Sequence, residues 1–130
     1  MSGNLSGAWS GNYIYPGSLA PVPFNVELRD TGGALSGIVT EPAPPYMGGG
    51  EIQAVITGSR SGSAVRFTKV YDTLEHFLNP VRYEGLLDEE ETEISGEWHI
   101  KGEWSGGFVM TRPKPERAAE EFEEEAEIER

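Results

Sequence analysis

The sequence predicts an all-β fold: an eight-stranded antiparallel up-and-down (meander) β-barrel followed by an acidic C-terminal tail or helix. Apolar and polar residues alternate in short runs separated by turn residues, the period of a strand with one buried and one wet face. Glycine (17) and proline (9) are spread through the body, where they read as turns and strand kinks. Three related motifs, Leu5-Ser6-Gly7-Ala8-Trp9, Ile94-Ser95-Gly96-Glu97-Trp98 and Gly102-Glu103-Trp104-Ser105-Gly106, hold all three tryptophans and lie near the start and end of the body. An indole fills the interior of a small barrel, and glycine lets a neighbouring strand bend and approach. Related motifs at both ends fit first and last strands that pair.

Each strand has its own pattern. The first, Gly7–Tyr15, puts Trp9, Gly11, Tyr13 and Tyr15 on one face and ends at Pro16-Gly17. The second sets Val22, Phe24, Val26 and Leu28 against Asn25, Glu27 and Arg29, and Asp30-Thr31-Gly32-Gly33 is a tight hairpin connection. The third, Ala34–Glu41, offers Leu35, Gly37 and Val39, and a Pro- and Gly-rich loop, 42–50, follows. The fourth, Glu51–Ser59, carries Ile52, Ala54 and Ile56 and turns through Ser61-Gly62. The fifth, Ser63–Asp72, places Val65, Phe67, Lys69 and Tyr71 together. Residues 73–79 break the alternation and suggest a short helical turn. The sixth, Pro80–Leu87, aligns Val81, Tyr83, Gly85 and Leu87, and Asp88–Glu91 turns the chain. The seventh aligns Ile94, Gly96, Trp98 and Ile100; Lys101-Gly102 turns into the eighth, with Trp104, Gly106, Phe108 and Met110. Eight strands with short links match an up-and-down barrel, with a sandwich or a lower strand count as the alternatives.

Residues 1–112 thus form one barrel domain, and 113–130 an acidic tail that begins at Pro113 and Pro115. The tail holds eight Glu against Lys114, Arg117 and Arg130; Ala119, Phe122 and Ala126 fall at helical spacing, but the stripe is thin and the clustered Glu repel. The net charge of −12 disfavours nucleic acid and anionic membrane as partners. The absence of cysteine excludes disulfides and thiolate chemistry. The N-terminus lacks a basic segment followed by an apolar run, so the expectation is a cytoplasmic protein.

Gly7-Ala8-Trp9 on the first strand, followed by the meander, resembles the calycin group of avidins, lipocalins and fatty-acid-binding proteins. The short hairpins and the likeness of Gly33-Ala34-Leu35-Ser36-Gly37 to a third-strand repeat are most similar to the avidin–streptavidin family. Trp9-Ser10-Gly11-Asn12-Tyr13 also resembles uncharacterised bacterial barrel proteins, a likeness that implies no activity. The avidin resemblance implies a urea-gripping shell, which the residues do not supply. Asn12 falls one position beyond the family spacing and would face outward, Phe24 and Val26 stand where a tyrosine would serve, and no acid occurs between Trp104 and Thr111.

Lys69 is the most informative polar residue: strict alternation points its ammonium inward, where it would await a carboxylate or other anionic ligand beside the Tyr71 and Tyr83 hydroxyls. The alternative is a lysine that snorkels to the rim. Trp9, Tyr13, Tyr15, Tyr71, Tyr83, Trp98 and Trp104 would line an aromatic pocket or simply fill the barrel. His76 and His99 make no metal set, and neither a Gly-x-Ser-x-Gly elbow nor a phosphate loop is present, so no cofactor, metal or catalytic residue is expected. The sequence therefore points to non-catalytic binding of a small, partly apolar or anionic ligand, with loops 42–50 and 73–79 at the mouth and Lys69, Tyr71, Tyr83, Tyr13, Trp9, Trp98 and Trp104 as candidate contacts. The alternative is a filled interaction module that recruits a basic partner through its tail, and pairing of barrel faces into a homo-oligomer is open to either.

Overall fold

The computed structural model describes residues 4–17, 20–43, 48–71, 80–100 and 105–113. Eight strands follow one another: β1 (Gly7–Ile14), β2 (Val22–Thr31), β3 (Ala34–Pro42), β4 (Glu51–Ser61), β5 (Ala64–Tyr71), β6 (Val81–Leu87), β7 (Glu93–His99) and β8 (Ser105–Thr111). Each pairs antiparallel with the next, and β8 returns to β1 with Ser10 opposite Thr111 and Ile14 opposite Gly107. The sheet is a closed barrel, so the sandwich alternative falls. The expected helical turn at 73–79, the Lys101-Gly102 turn, Trp104, His76 and the tail beyond Pro113 lie outside the described residues.

Alternation sets the interior. Along β2, Phe24, Val26 and Leu28 are buried while Asn25, Glu27 and Arg29 are exposed. Burying one face of every strand gives the barrel a continuous apolar interior, the main favourable term in its folding. Glycines act where the aromatics are bulkiest. Phe24 lies opposite Gly11, Phe67 opposite Gly58, Phe108 opposite Gly96 and Trp98 opposite Gly106. A Cβ on Gly106 would stand 2.7 Å from the Trp98 indole, and one on Gly11 would stand 2.7 Å from the Phe24 ring. Each ring thus fills space that a side chain on the facing strand would need. In the centre Phe67 stacks on Tyr83 at 4.8 Å, with the Phe108 edge against both rings.

The two ends of the barrel differ in their links. At the turn end β2 joins β3 through Gly32-Gly33 and β4 joins β5 through Gly62-Ser63, two-residue hairpins whose glycines take φ of 61°, 95° and 60°. The β4–β5 ladder runs on to Ser61 opposite Ala64, so the turn falls one residue later than the sequence suggested. The third turn-end link, 88–92, is five residues, and at the other end no link is shorter than that: 15–21, 43–50, 72–80 and 100–104. That link end is where β1, β3, β5 and β7 finish.

Candidate ligand site at the link end

Inward positions at the link end are not all apolar. Glu41, near the end of β3, and Lys69, near the end of β5, both continue the buried face of their strands, at 3% and 2% exposure. Strand β4 runs between them. Its inward Ala54 lies opposite Val39 on one side and Tyr71 on the other, and this small side chain leaves room for Glu41 and Lys69 to meet.

They meet closely. Lys69 Nζ donates to Glu41 Oε2 at 2.8 Å, while the hydroxyls of Tyr71 and Tyr13 donate to Glu41 Oε1 at 2.6 and 3.2 Å. The ammonium also sits 4.8 Å from the Tyr13 ring centroid, 4.7 Å from that of Tyr71 and 5.4 Å from that of Tyr83. A cation within about 6 Å of a ring face is attracted by the ring quadrupole, so three rings and one carboxylate together offset the loss of water. Burial lowers the Lys69 pKa and Glu41 partly restores it. Burial first, and then the Glu41 charge, raises the hydroxyl pKa values of Tyr13, Tyr71 and Tyr83 well above the usual tyrosine value. All three therefore remain neutral hydrogen-bond donors across the physiological range.

Beside this cluster lies a cavity of about 30 Å³, lined by Tyr13, Tyr15, Lys69, Tyr71, Tyr83 and Trp98, with Val81 and Ile100. The Trp98 indole donates to the Ile14 carbonyl at 3.1 Å and meets the Tyr15 ring edge-on at 5.6 Å, which fixes that wall. Tyr83 is 3% exposed and lines the cavity; its hydroxyl makes no hydrogen bond to another described residue, and because no fully buried side-chain nitrogen or oxygen among them lacks a partner, it keeps a little solvent access.

Of the residues the sequence singled out, the structure gathers Lys69, Tyr71, Tyr83, Tyr13 and Trp98 around this cavity. Trp9 lies at the turn end: its indole donates to the Leu5 carbonyl at 2.9 Å, and the Arg112 guanidinium covers its ring at 4.7 Å. Trp104 falls outside the described residues. Lys69 does not snorkel to the rim, because a carboxylate and three rings hold its ammonium inside. Nor does its charge stand open for an external anion, since Glu41 already pairs with it. Sequence reasoning missed Glu41, although a signal was present: the alternation Leu35, Gly37, Val39 places position 41 on the inner face.

A second inward pair occupies the turn end, where Asp30 and Arg60 approach to 3.6 Å. Asp30 accepts from the backbone N–H of Leu5 at 3.0 Å and of Gly33 at 2.9 Å, and Arg60 donates to the Gly62 carbonyl at 3.2 Å. Arg112 donates to the carbonyls of Glu91 and Asn4, both at 2.9 Å, tying the end of β8 to the segment before β1. On the outer wall the His99 ring stands beside Glu97, and among the described residues no group of three His, Asp or Glu is placed to hold a metal ion. No known family and no curated protein matches this chain.

Proposed function

We propose that this barrel is a non-catalytic binding protein for a small, partly apolar molecule, held at the link end by Lys69, Tyr13, Tyr71, Tyr83 and Trp98. The observation that carries the reading is the buried Glu41–Lys69 pair, whose hydrogen bonds among the described residues all run to side chains, beside a cavity lined by Tyr83, whose hydroxyl makes no hydrogen bond to another described residue. Stability alone gives little reason for such a cluster, since a buried ion pair exchanged for well-packed apolar residues often leaves a protein as stable or more so. Aromatic walls with a few convergent polar groups are the usual composition of a small-molecule site. The calycin resemblance supports this kind of site, while the exposed Asn12 argues against an avidin-type ligand shell.

A thermal-shift screen of small aromatics, acids, amides and lipids tests the reading. A ligand at one hundred times its Kd adds about 2.7 kcal/mol to native stability. A hit on the wild type that is lost in Lys69→Met supports the site, and a broad screen without any hit overturns it. The small cavity volume favours a second reading, a filled barrel that acts as an interaction module through its acidic tail. That reading predicts no small-molecule hit and capture of basic peptides that depends on residues 113–130.

A further inference from the structure

We infer that the molecule bound at the link end presents an uncharged hydrogen-bond acceptor, a carbonyl oxygen, to the Tyr83 hydroxyl and the Lys69 ammonium, and that the site rejects a carboxylate of the same shape. The inference rests on the binding reading above and deepens it.

Charge is the first argument. Lys69 contributes one positive charge and Glu41 one negative, 2.8 Å apart, and the tyrosines that surround them are neutral. The cluster as a whole is uncharged. A ligand carboxylate would bring a second anion against a single cation that already has its partner, in an interior with little water to screen it. An ammonium would meet the mirror problem beside Lys69. An uncharged head group meets neither.

Hydrogen-bond inventory is the second. The single O–H donors of Tyr13 and Tyr71 both go to Glu41 Oε1. Lys69 uses one of its three N–H groups on Glu41 Oε2 and turns the others among the rings. The Tyr83 O–H is left: it makes no hydrogen bond to another described residue, and it belongs to a residue that lines the cavity. No fully buried side-chain nitrogen or oxygen among the described residues lacks a hydrogen-bond partner, so this O–H keeps a little solvent access, and an oxygen that enters the cavity can accept from it in place of water. Lysine offers donors only, which makes an acceptor the complement to both groups.

Size and walls are the third. A volume of about 30 Å³ is roughly twice what one enclosed water needs, so it admits a head group of about two heavy atoms such as C=O. Trp98, Tyr15 and Ile100 offer apolar surface to whatever carries it.

The test uses the full chain and three probes of one planar shape: benzamide, benzoate and benzamidinium, titrated by calorimetry at pH 7. Benzamide is expected to bind at least about tenfold tighter than either ion, a factor in keeping with one well-made buried hydrogen bond. Tyr83→Phe keeps the ring that stacks on Phe67 and removes the hydroxyl, so it should weaken benzamide about tenfold and leave the weak ion binding unchanged. Benzoate binding as tight as benzamide overturns the inference while leaving the site itself standing. Equal benzamide affinity in wild type and Tyr83→Phe also overturns it. If none of the three binds and the wider screen is silent, the binding reading falls and this inference falls with it. The comparison of the three probes on wild-type protein decides the matter even if Tyr83→Phe folds poorly.

Discussion

Each end of the barrel holds an inward acid–base pair, and the two pairs are built differently. Asp30–Arg60 at the turn end is woven largely into main chain: Leu5 N, Gly33 N and the Gly62 carbonyl are among its partners, and the Glu91 carboxylate stands 3.5 Å from the Arg60 guanidinium as well. Glu41–Lys69 at the link end has side chains alone as partners among the described residues, and a cavity lies beside it. The first pair satisfies backbone groups that closure of the barrel would otherwise strand, and its role is explained by the fold. The second satisfies no backbone group and creates a demand, two buried charges, that the fold itself does not need met. A buried pair is therefore informative about function only after its partners have been sorted into backbone and side chain.

Alkaline titration should separate the ends most strongly. The hydroxyls of Tyr13, Tyr71 and Tyr83 are all held above the ordinary value of 10.0, so the folded state retains protons that the unfolded state releases. The associated stability is fully present below pH 10 and is lost as pH rises beyond it, by up to about 4 kcal/mol per pH unit for three groups. Lys69, lowered from 10.5, acts in the opposite sense below that pH, so the steep loss belongs to the range above it. Urea melts between pH 9 and 11.5 should show this slope, and Tyr71→Phe should reduce it by about a third. An unchanged slope in the variant would remove the link-end cluster as its source.

Glu41→Gln comes next. It keeps the shape and deletes the charge, leaving Lys69 buried without its counter-ion. The expected loss is about 3–4 kcal/mol in chemical denaturation, accompanied by loss of ligand binding. Asp30→Ala at the other end strands the N–H groups of Leu5 and Gly33 and should cost about 2–3 kcal/mol, with ligand affinity unchanged. Equal effects of the two substitutions on affinity would erase the distinction drawn between the ends.

Arg112→Ala removes the cover over Trp9 and two contacts to carbonyls, and an exposed contact of that kind is worth about 1 kcal/mol. The smallest stability change is expected of the double variant Glu41→Leu/Lys69→Met. It should lie within about 1 kcal/mol of the wild type or above it, because both charges leave together, yet it should bind nothing. A double variant as unstable as Glu41→Gln would mean that the pair holds the barrel together after all.

The sequence made the inner face of every strand legible, because a period of two needs only the residues themselves. Asp30, Glu41 and Arg60 lie on the same continuations as Leu28, Val39 and Ile56, and reading the alternation to the last residue of each strand would have found them. Their partners were not legible. Glu41 and Lys69 are 28 positions apart, and their meeting depends on the register that sets Ala54 between them. Height along the barrel was hidden for the same reason. Trp9 and Trp98 sit in similar motifs on strands running the same way, but Trp9 is third in β1 and Trp98 sixth in β7. The likeness of the motifs obscured that one tryptophan seals the turn end and the other walls the cavity.

The three tyrosines and the carboxylate around Lys69 have one more consequence. Together they form a receptor for an alkylammonium, and the lysine is its own permanent guest, delivered on a four-carbon tether from β5. Cutting the tether with Lys69→Ala would leave the receptor vacant rather than destroy it. Free methylammonium or propylammonium should then raise the Tm of that variant in a concentration-dependent way, and leave the wild type, whose guest is already seated, unchanged.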